Sequence, residues 1–504
     1  MMRSVSSFAT IFLVAVSACR LPAQVPANGA SHDIAWYTSN APFKMAAVAE
    51  PVIPSKTYSL KDFGGVADGK TLNTAAFAKA IEQCSKGGGG HVVVPAGKWL
   101  TGPIELKSNI DLHVEEGAVV QFSSDHAQFP LRDNGKNKYD VTPPIWGTKL
   151  ENVSITGKGI FDGAGETWRP LKKVKVTEEH WNRVVKSGGV VSVDGKIWWP
   201  SREAMNGEAY LKSLSKKENV SEQDYLPARD YLRPKMVVIS NSKNVLLDGP
   251  TFRNSPNFII NPQRITNLII RNVNVHNDGW AQNGDGIDIS ACNGVVIYRT
   301  VVNAGDDGIC MKSSGSTPGN DGLQNVLIAE CKVYEGHGGF VIGSNTDGGM
   351  KNIYVTNCQF EGTDIGIRVK SNTGRGGLVR DIFIDNILMK NILREAVLFD
   401  TYYEDVPAGK ERPASRISGN NDKIPEFTGF SIKNVTCLGA KTAMYFRGLP
   451  QMPVHDISFE NVQIKSSEGV KAECVKNIKF KNVKLNTGDS PAIDPAQQSN
   501  FIIL

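Results

Sequence analysis

Acidic and basic side chains recur within short glycine-rich motifs in the second half of the chain. Hydrolysis of a glycoside with inversion needs one protonated carboxyl group, which protonates the leaving oxygen, and one carboxylate, which activates water. Aspartates, a histidine and two cations occur in four motifs, at 283–288 (NGDGID), 305–308 (GDDG), 336–339 (GHGG) and 366–370 (GIRVK). These groups could perform acid and base catalysis on a sugar if the fold brings the motifs together.

The spacing of the motifs is close to regular. Asp306 follows Asp285 by 21 residues, His337 follows Asp307 by 30, and Arg368 follows His337 by 31. Each interval is about one coil of a solenoid, so the groups can stack on one face of consecutive coils. Three carboxyl groups at one point should raise the pKa of at least one of them, which keeps an acid neutral near neutral pH.

Two cations are predicted on one strand. Arg368 and Lys370 are separated by a single residue, which places them on the same face of a strand. Together they can bind a sugar carboxylate through charge-assisted hydrogen bonds. Galacturonate carries such a carboxylate.

The elements that would position these groups form a repeat. Short strand patterns led by Asn, Asp or Gly begin at 244, 267, 325, 352, 381, 429, 456 and 477, and most neighbouring copies are 21–29 residues apart. Each short strand can bury only one face, so each coil needs neighbours above and below. The repeat predicts an all-β, single-domain right-handed parallel β-helix, in which the recurring Asn residues form hydrogen-bonded ladders between coils.

The same pattern sets the predicted boundaries. Residues 57–490 form the β-helix domain, between an N-terminal extension at 25–56 and a C-terminal tail at 491–504. An amphipathic stretch at 74–81 predicts a short helix that caps the open N-terminal end. The polar segment 168–231 has no second core pattern and is interpreted as a long inserted loop.

The first 24 residues are interpreted as a signal peptide. An apolar run from Phe8 to Cys19 follows Arg3 and is too short to span a bilayer. Two cleavage sites fit: a lipobox that would leave Cys19 as a lipid anchor, and ordinary cleavage near Ala23. The protein is therefore expected to be exported, as a periplasmic protein, an outer-membrane lipoprotein or an extracellular protein.

Composition bounds the remaining classes of function. A net charge of +5 is too small and too dispersed to indicate nucleic-acid binding, although a mildly basic surface suits a polyanion.

Beyond the signal, seven cysteines lie at positions 84, 292, 310, 331, 358, 437 and 474, without metal-ligand spacing. They are expected to be mostly buried, with room for one or two disulfides. No metal or other cofactor is predicted, and the protein is expected to be a monomer.

The ordered motifs resemble glycoside hydrolase family 28, the polygalacturonase family. The order NxDGxD, GDDG, GHGG and RxK is similar to the order in that family, as are the stretches at 64–69, 93–97, 161–165 and 254–256. The match runs from about Thr57 to Asn482, and several motifs in order are more specific than any one alone. The resemblance implies a β-helix enzyme that hydrolyses the α-1,4 bonds of polygalacturonate or pectic oligosaccharides without a metal.

The resemblance also implies catalytic roles. Asp306 would be the general acid, whereas Asp285 and Asp307 would position and deprotonate the attacking water. His337 would support the protonation state of the acid by hydrogen bonding.

Three further residues, from four candidates, would bind substrate. Arg368 and Lys370 would hold the substrate carboxylate, and either Tyr402 or Tyr403 would line the cleavage subsite. Adjacent residues on a regular strand point to opposite sides, so only one tyrosine should face the substrate.

The motifs depart from those of the family at two places. Gly284 stands where the family commonly has Thr, and the Gly-Ile-Cys at 308–310 replaces a commoner Cys-Ile or Cys-Val. Neither departure removes a reacting group. Asp288 has the opposite strand parity to Asp285 and is interpreted as structural, bonding turn amides.

Different functions would fit the same fold. A calcium-dependent pectate lyase would need an acidic calcium site and a lone Arg or Lys base. A β-helix could also serve as a rhamnogalacturonan hydrolase or as a non-catalytic carbohydrate-binding solenoid. The insertion and the segment 403–427 could wall off one end of a groove, which favours an exo-acting enzyme. Within the insertion, Trp198 and Trp199 would either stack on sugar or pack the insertion.

Overall fold

The computed structural model describes residues 31–135, 138–315, 322–403, 423–488, 490–493 and 501–504. The predicted signal peptide, Cys19 and most of the segment 403–427 lie outside these residues. No helix within the described ranges is long and apolar enough to cross a membrane.

Parallel strands stack coil upon coil in three long sheets, each strand pairing with its counterparts in the coils before and after. The first sheet contains Thr57–Ser59, Gly90–Val94, Ile110–Val114, Glu151–Gly157, Lys243–Asp248, Thr266–Arg271, Asn293–Tyr298 and Leu323–Ala329. The second contains Asp68–Leu72, Gly97–Thr101, Ala118–Phe122, Ile160–Asp162, Thr251–Arg253, Asn274–His276, Val301–Asn303 and Lys332–Tyr334. The third contains Ile104–Glu105, Ile145–Thr148, Val237–Ser240, Ile287–Ser290, Asp307–Lys312, Gly338–Ile342, Ile367–Lys370 and Glu395–Asp400.

Later coils are built from longer strands that run from one sheet into the next. They are Met350–Glu361, Leu378–Lys390, Phe430–Arg447, Val454–Glu473 and Val475–Asn486, with Glu426–Phe427 and Phe501–Ile503 added to the first sheet. An antiparallel pair, Leu131–Asp133 with Tyr139–Val141, lies outside the coils. The apolar residues that face inward along all these coils form one continuous core, which is the burial that the repeat predicts.

The predicted asparagine ladders are present. The side-chain amide of Asn267 donates to Oδ1 of Asn244 (2.8 Å), and that of Asn244 donates to Oδ1 of Asn152 (3.0 Å). A second run joins Asn352 to Asn325 (3.0 Å). All these residues have positive φ, a left-handed conformation that Asn tolerates better than most residues. Each ladder residue therefore bends the backbone near the start of its strand and also links two coils.

The first sheet buries its outer face as well as its inner one. Leu246, Ile269, Val296 and Leu327 point outward in successive coils and form a small core with Tyr37 of the N-terminal extension. The short helix Ile34–Ser39 carries Tyr37, whose hydroxyl donates to Glu330 (3.0 Å). The uninterrupted apolar triplets of these strands are typical of strands buried on both faces.

The predicted capping helix is present and spans Thr74–Lys86. Its buried side chains, which include Phe77, Ile81 and Cys84, join the core beside Leu60. The first coil is thereby covered, and its strand edges are protected from pairing with another chain.

The interpretation of the insertion as a loop is wrong. It contains the helices Glu178–Lys186, Arg202–Leu214, Glu222–Tyr225 and Arg229–Leu232 and an antiparallel sheet of Leu171–Lys172, Val190–Val191 and Ile197–Trp199. Leu171, Trp181 and Trp198 form a small core of their own, so Trp198 packs the insertion and does not present its ring to a sugar. Thr177 and Ser201 could have indicated the two longer helices, because their hydroxyls cap the first turns of these helices.

The seven cysteines beyond the signal are all free thiols. Six are buried and Cys474 is exposed. The expected burial is therefore confirmed, and the disulfides for which the sequence left room are not formed among these seven residues.

Candidate active site

The third sheet brings the four motifs to one place. Asp285 shortly precedes the strand Ile287–Ser290, and Asp306 directly precedes Asp307–Lys312. The backbone register pairs Ile287 with Ile309 and Asp307 with Gly338, so the motifs stack in consecutive coils. The strand that carries Arg368 and Lys370 follows in the next coil.

A glycine permits the close stacking of these coils. A Cβ atom on Gly308, directly after the paired aspartates, would lie 2.4 Å from Cγ1 of Val333 and 2.8 Å from the carbonyl oxygen of Gly338. A side chain at this position would therefore force the two coils apart. Position 308 thus has no room for a side chain, and the nearest thiol along the strand, that of Cys310, lies 3.1 Å from the carbonyl oxygen of Gly343.

The three aspartates converge on one point. One carboxyl oxygen from each of Asp285, Asp306 and Asp307 lies within 4.8 Å of those from the other two. Asp285 and Asp307 are almost fully buried, and the Asp306 side chain remains 18% exposed. Asp306 is therefore the carboxyl group of the three that a bound molecule reaches most easily.

Two cations hold Asp307 as a carboxylate. Its Oδ1 is 3.0 Å from the guanidinium of Arg368 and its Oδ2 is 2.7 Å from Nζ of Lys370. Burial alone would raise the pKa of Asp307, but Lys370, Arg368 and then Lys312 outweigh it, so the pKa lies well below its usual value. Arg368 and Lys370 thus share the face predicted for them, although both already contact an aspartate.

Asp306 accepts two hydrogen bonds on the same oxygen. Its Oδ1 is 3.0 Å from Nδ1 of His337 and accepts the backbone N–H of Asp307 at 3.0 Å. Burial raises the pKa of Asp306, but the hydrogen bond from His337 acts against it, and the net result is a lowered pKa. Because Oδ1 is occupied, Oδ2 is the oxygen that can carry a proton.

The raised pKa that crowding predicts occurs at Asp285. Burial is the largest cause, followed by the negative charges of Asp288 and Asp306. Its Oδ1 is buried without a hydrogen-bond partner among the described residues. Among the three carboxyl groups, the raised pKa is thus that of Asp285 and not that of Asp306, the expected acid.

Lys312 is a site residue that the sequence interpretation missed. Its Nζ is 2.5 Å from Oδ1 of Asp288 and 3.9 Å from Oδ2 of Asp285. Asp288 is fully buried on the strand Ile287–Ser290, so the expectation that it bonds turn amides is wrong: it is the counter-ion of Lys312. Strand parity could have indicated Lys312. It follows the paired aspartates on their strand, and it lies on the opposite face of that strand from the core residues Ile309 and Met311.

The structure distinguishes the two tyrosines. The ring of Tyr403 lies 4.6 Å from Nζ of Lys370 and 5.5 Å from the guanidinium of Arg368, facing the aspartates. Tyr402 instead lies against Arg447, with 5.0 Å between the ring and the guanidinium. Tyr403 is therefore the tyrosine that lines the site.

The aspartates open into a groove with a cavity of about 380 Å³. Its lining includes side chains that no motif indicated: Lys235, Phe258, Gln263, Arg264, Lys312 and Asn345. Several of these are cations, and a groove lined by positive charge attracts a polyanion. The geometry combines a carboxyl cluster for acid and base catalysis with cations that can bind an acidic sugar.

Comparison with known proteins agrees with this geometry. The model of the family described as glycosyl hydrolases family 28 matches residues 170–487. An exo-poly-alpha-D-galacturonosidase of Dickeya chrysanthemi is 27% identical over 86% of this chain and 72% of its own, and a probable polygalacturonase of Vitis vinifera is 28% identical over 75% and 73%.

Solved structures give the same result. A hyperthermoactive exopolygalacturonase from Thermotoga maritima superposes with a TM-score of 0.73 and 29% identity, over 88% of this chain and 94% of its own. The predicted all-β, right-handed parallel β-helix is confirmed. The chain belongs to glycosyl hydrolases family 28 and is a glycoside hydrolase.

Proposed function

We propose that this enzyme hydrolyses the α-1,4-galacturonosyl bonds of polygalacturonate or pectic oligosaccharides. The observation that carries the proposal is the convergence of three aspartates with Arg368, Lys370 and Tyr403 in one groove. The carboxyl groups supply acid and base, and the cations suit a sugar that carries a carboxylate. Lys235 and Arg264 line the same groove and add positive charge that a neutral sugar would not use.

The proposed mechanism follows from the hydrogen bonds. Oδ2 of Asp306 gives its proton to the leaving oxygen, because Oδ1 is engaged by His337 and a backbone N–H. Asp307 is held ionised and supplies the base, with Asp285 offering a second oxygen to the same water. A bound galacturonate adds negative charge and displaces water, and both effects raise the pKa of Asp306 so that it binds the required proton.

The short distances between the carboxyl groups suit a three-carboxylate arrangement. The nearest oxygens lie within 4.8 Å, whereas most inverting glycosidases leave roughly 6.5–9.5 Å between their two carboxyl groups to admit water. Here Asp285 and Asp307 would hold the attacking water on one side of the sugar. The water therefore need not fit between the acid and the base, and the short distances are compatible with the proposed inversion.

The insertion supports an exo-acting mode. Arg233, directly after its last helix, donates hydrogen bonds to Oδ1 of Asn283 and the carbonyl oxygen of Gln282, both at 2.9 Å. Asn283 lines the cavity beside the aspartates, and Lys175 of the insertion lies 3.3 Å from the carbonyl oxygen of Gly305, next to Asp306, so the insertion packs along the edge of the groove. A wall at this edge would limit binding to a chain end.

An exo mode predicts monogalacturonate as the product from the earliest times on polygalacturonate. Chromatography of a time course separates the two modes, because an endo-enzyme would first release a ladder of oligomers. Rhamnogalacturonan is the matched control substrate. Turnover of rhamnogalacturonan without turnover of polygalacturonate would replace the proposed substrate.

Hydrolysis should be insensitive to EDTA and should give no product that absorbs in the ultraviolet. The three carboxyl groups lie close enough to share a divalent cation, but Arg368 and Lys370 already pair with Asp307, and Lys312 lies 3.9 Å from Asp285. A calcium site needs carboxylates free of such cations. Loss of activity in EDTA, restored by calcium, would favour a calcium-dependent lyase.

We further propose that the protein is exported and acts as a monomer on pectic substrates outside the cytoplasm. The apolar run that ends at Cys19 supports this proposal. Cell fractionation of the wild type and of Cys19→Ala distinguishes a lipoprotein, which would lose its membrane association in the variant, from a freely released enzyme.

A further inference from the structure

The insertion brings a lysine against the histidine of the active site. Lys175 ends a short 3₁₀ turn, Lys173–Lys175, that precedes the helix Glu178–Lys186. Its Nζ is 3.3 Å from Nε2 of His337 and 3.3 Å from the carbonyl oxygen of Gly305. The lysine comes from outside the coils that carry the aspartates, so no spacing within the repeat indicates it.

This contact determines which ring nitrogen of His337 carries a proton. An ammonium group donates hydrogen bonds and cannot accept them, so Nε2 accepts the bond from Lys175. Nδ1, which is 3.0 Å from Oδ1 of Asp306, then carries the ring proton and donates it to the carboxyl group. A doubly protonated ring would place a second positive charge and another N–H against the ammonium, which is unfavourable.

The carboxyl group of Asp306, 3.0 Å from Nδ1, attracts a proton to that same nitrogen and opposes Lys175 only on the overall charge of the ring. Oδ2 of Asp364 is 3.9 Å from Nε2, beyond hydrogen-bond distance, and Asp364 is partly exposed to solvent. Arg368 donates to the backbone carbonyl of His337, at 3.4 Å, and not to its ring. Burial lowers the pKa of Lys175 from its usual value, and Asp306 acts against that shift. Lysine starts from a pKa of about 10.4 and keeps its proton in acidic solution.

We propose that Lys175 is a positioning residue that favours the neutral ring of His337, with its proton on Nδ1, over the imidazolium ion. His337 then gives Asp306 one hydrogen bond without a full positive charge beside it. The acid consequently keeps its proton to a higher pH than it would next to an imidazolium ion. The position of the ring proton does not depend on the proposed function. The effect of that proton on catalysis does rest on the proposed function.

The ring protonation can be measured by ¹⁵N NMR of the histidines in the full-length protein, with the His337 signal assigned by its loss in His337→Gln. In the wild type the neutral ring should carry its proton on Nδ1. In Lys175→Met the ring should become imidazolium at a higher pH than in the wild type, because a neighbouring positive charge has been removed, and Lys175→Arg should match the wild type, because guanidinium also only donates. A neutral wild-type ring protonated on Nε2, or a transition at the same pH in Lys175→Met as in the wild type, would overturn the inference.

Kinetics on polygalacturonate give a second readout. The kcat of Lys175→Met should fall roughly tenfold more at about pH 5 than at about pH 7, because an imidazolium at His337 removes the proton from the general acid. Lys175→Arg should restore the wild-type profile. A raised KM with an unchanged pH profile, or an equal loss at every pH, would overturn the positioning role. A wild type without turnover would refute the proposed function and leave the NMR result to decide the tautomer.

Discussion

Asp306→Asn is expected to lower the kcat for hydrolysis of polygalacturonate by roughly 10²–10⁴-fold, the usual contribution of a general acid. The amide has the same shape as the carboxyl group but has no proton of suitable acidity to give to the leaving oxygen. Its oxygen can still accept hydrogen bonds from His337 and from the backbone of Asp307, so the fold and the substrate KM should change little. Initial rates of galacturonate release, with circular dichroism as a check on folding, measure the effect.

The matched control is Asp62→Asn, the same chemical change at an exposed aspartate in the first coil. It should behave as the wild type. If Asp306→Asn retained wild-type kcat, Asp306 would not be the acid. A wild type that binds polygalacturonate without any turnover would instead favour the carbohydrate-binding solenoid.

Lys312→Met is expected to cause the largest loss of stability, about 3–5 kcal/mol of the free energy of unfolding near neutral pH, which is the usual cost of removing one partner from a buried ion pair. Asp288 is fully buried, and Lys312 lies 2.5 Å from it and 3.9 Å from Asp285. Methionine keeps most of the side-chain volume, so the loss reports the missing charge. Urea denaturation followed by circular dichroism measures it.

The loss should depend on pH in a defined direction. Burial acts to lower the pKa of Lys312, but Asp288 and other acidic groups outweigh it and the pKa is raised, so the stabilisation by the ammonium is fully present below about pH 10.4, the unfolded value. Burial already raises the pKa of Asp285 and Asp288 above the unfolded value. Without the lysine, ionisation of these carboxyl groups opposes folding increasingly as the pH rises above about 3.9.

Lys312→Met should therefore differ least from the wild type near pH 4 and most near pH 8. Adding Asp288→Asn to Lys312→Met should recover part of the loss near pH 8, because the uncompensated charge is removed. An equal loss at both pH values, with no recovery in the double variant, would mean that Lys312 acts through packing alone.

The coils and their motifs were predictable because their signals are local. Asparagines with positive φ near the start of a strand, such as Asn244 and Asn267, mark each coil and link it to the next. Motif spacing of about one coil places Asp285, Asp306 and Asp307 on one sheet. The family resemblance adds roles for these residues, and the structure supplies the distances on which those roles depend.

The features that were missed depend on contacts between distant parts of the chain. The apolar triplets of the first sheet carry no sign of what covers their outer face, which proved to be the segment around Tyr37. Lys312 shares a strand with Asp307, but its structural role is to pair with Asp288 of the preceding coil. Lys175 comes from the insertion, whose short helices were hidden within a polar, lysine-rich stretch.

Tyr402 and Tyr403 illustrate a further limit. Strand parity predicts that adjacent residues face opposite sides, but parity cannot say which side faces the groove. That choice depends on the partners, and Lys370 with Arg368 on one side and Arg447 on the other decide it.

The most direct test of the account is ¹H NMR of the reaction on polygalacturonate, recorded before the product anomers equilibrate. Direct attack by water at the Asp285, Asp306 and Asp307 cluster predicts that the first product is saturated galacturonate in the β configuration, opposite to that of the α-linked substrate. A first product in the α configuration, or an unsaturated product, would contradict the proposed mechanism.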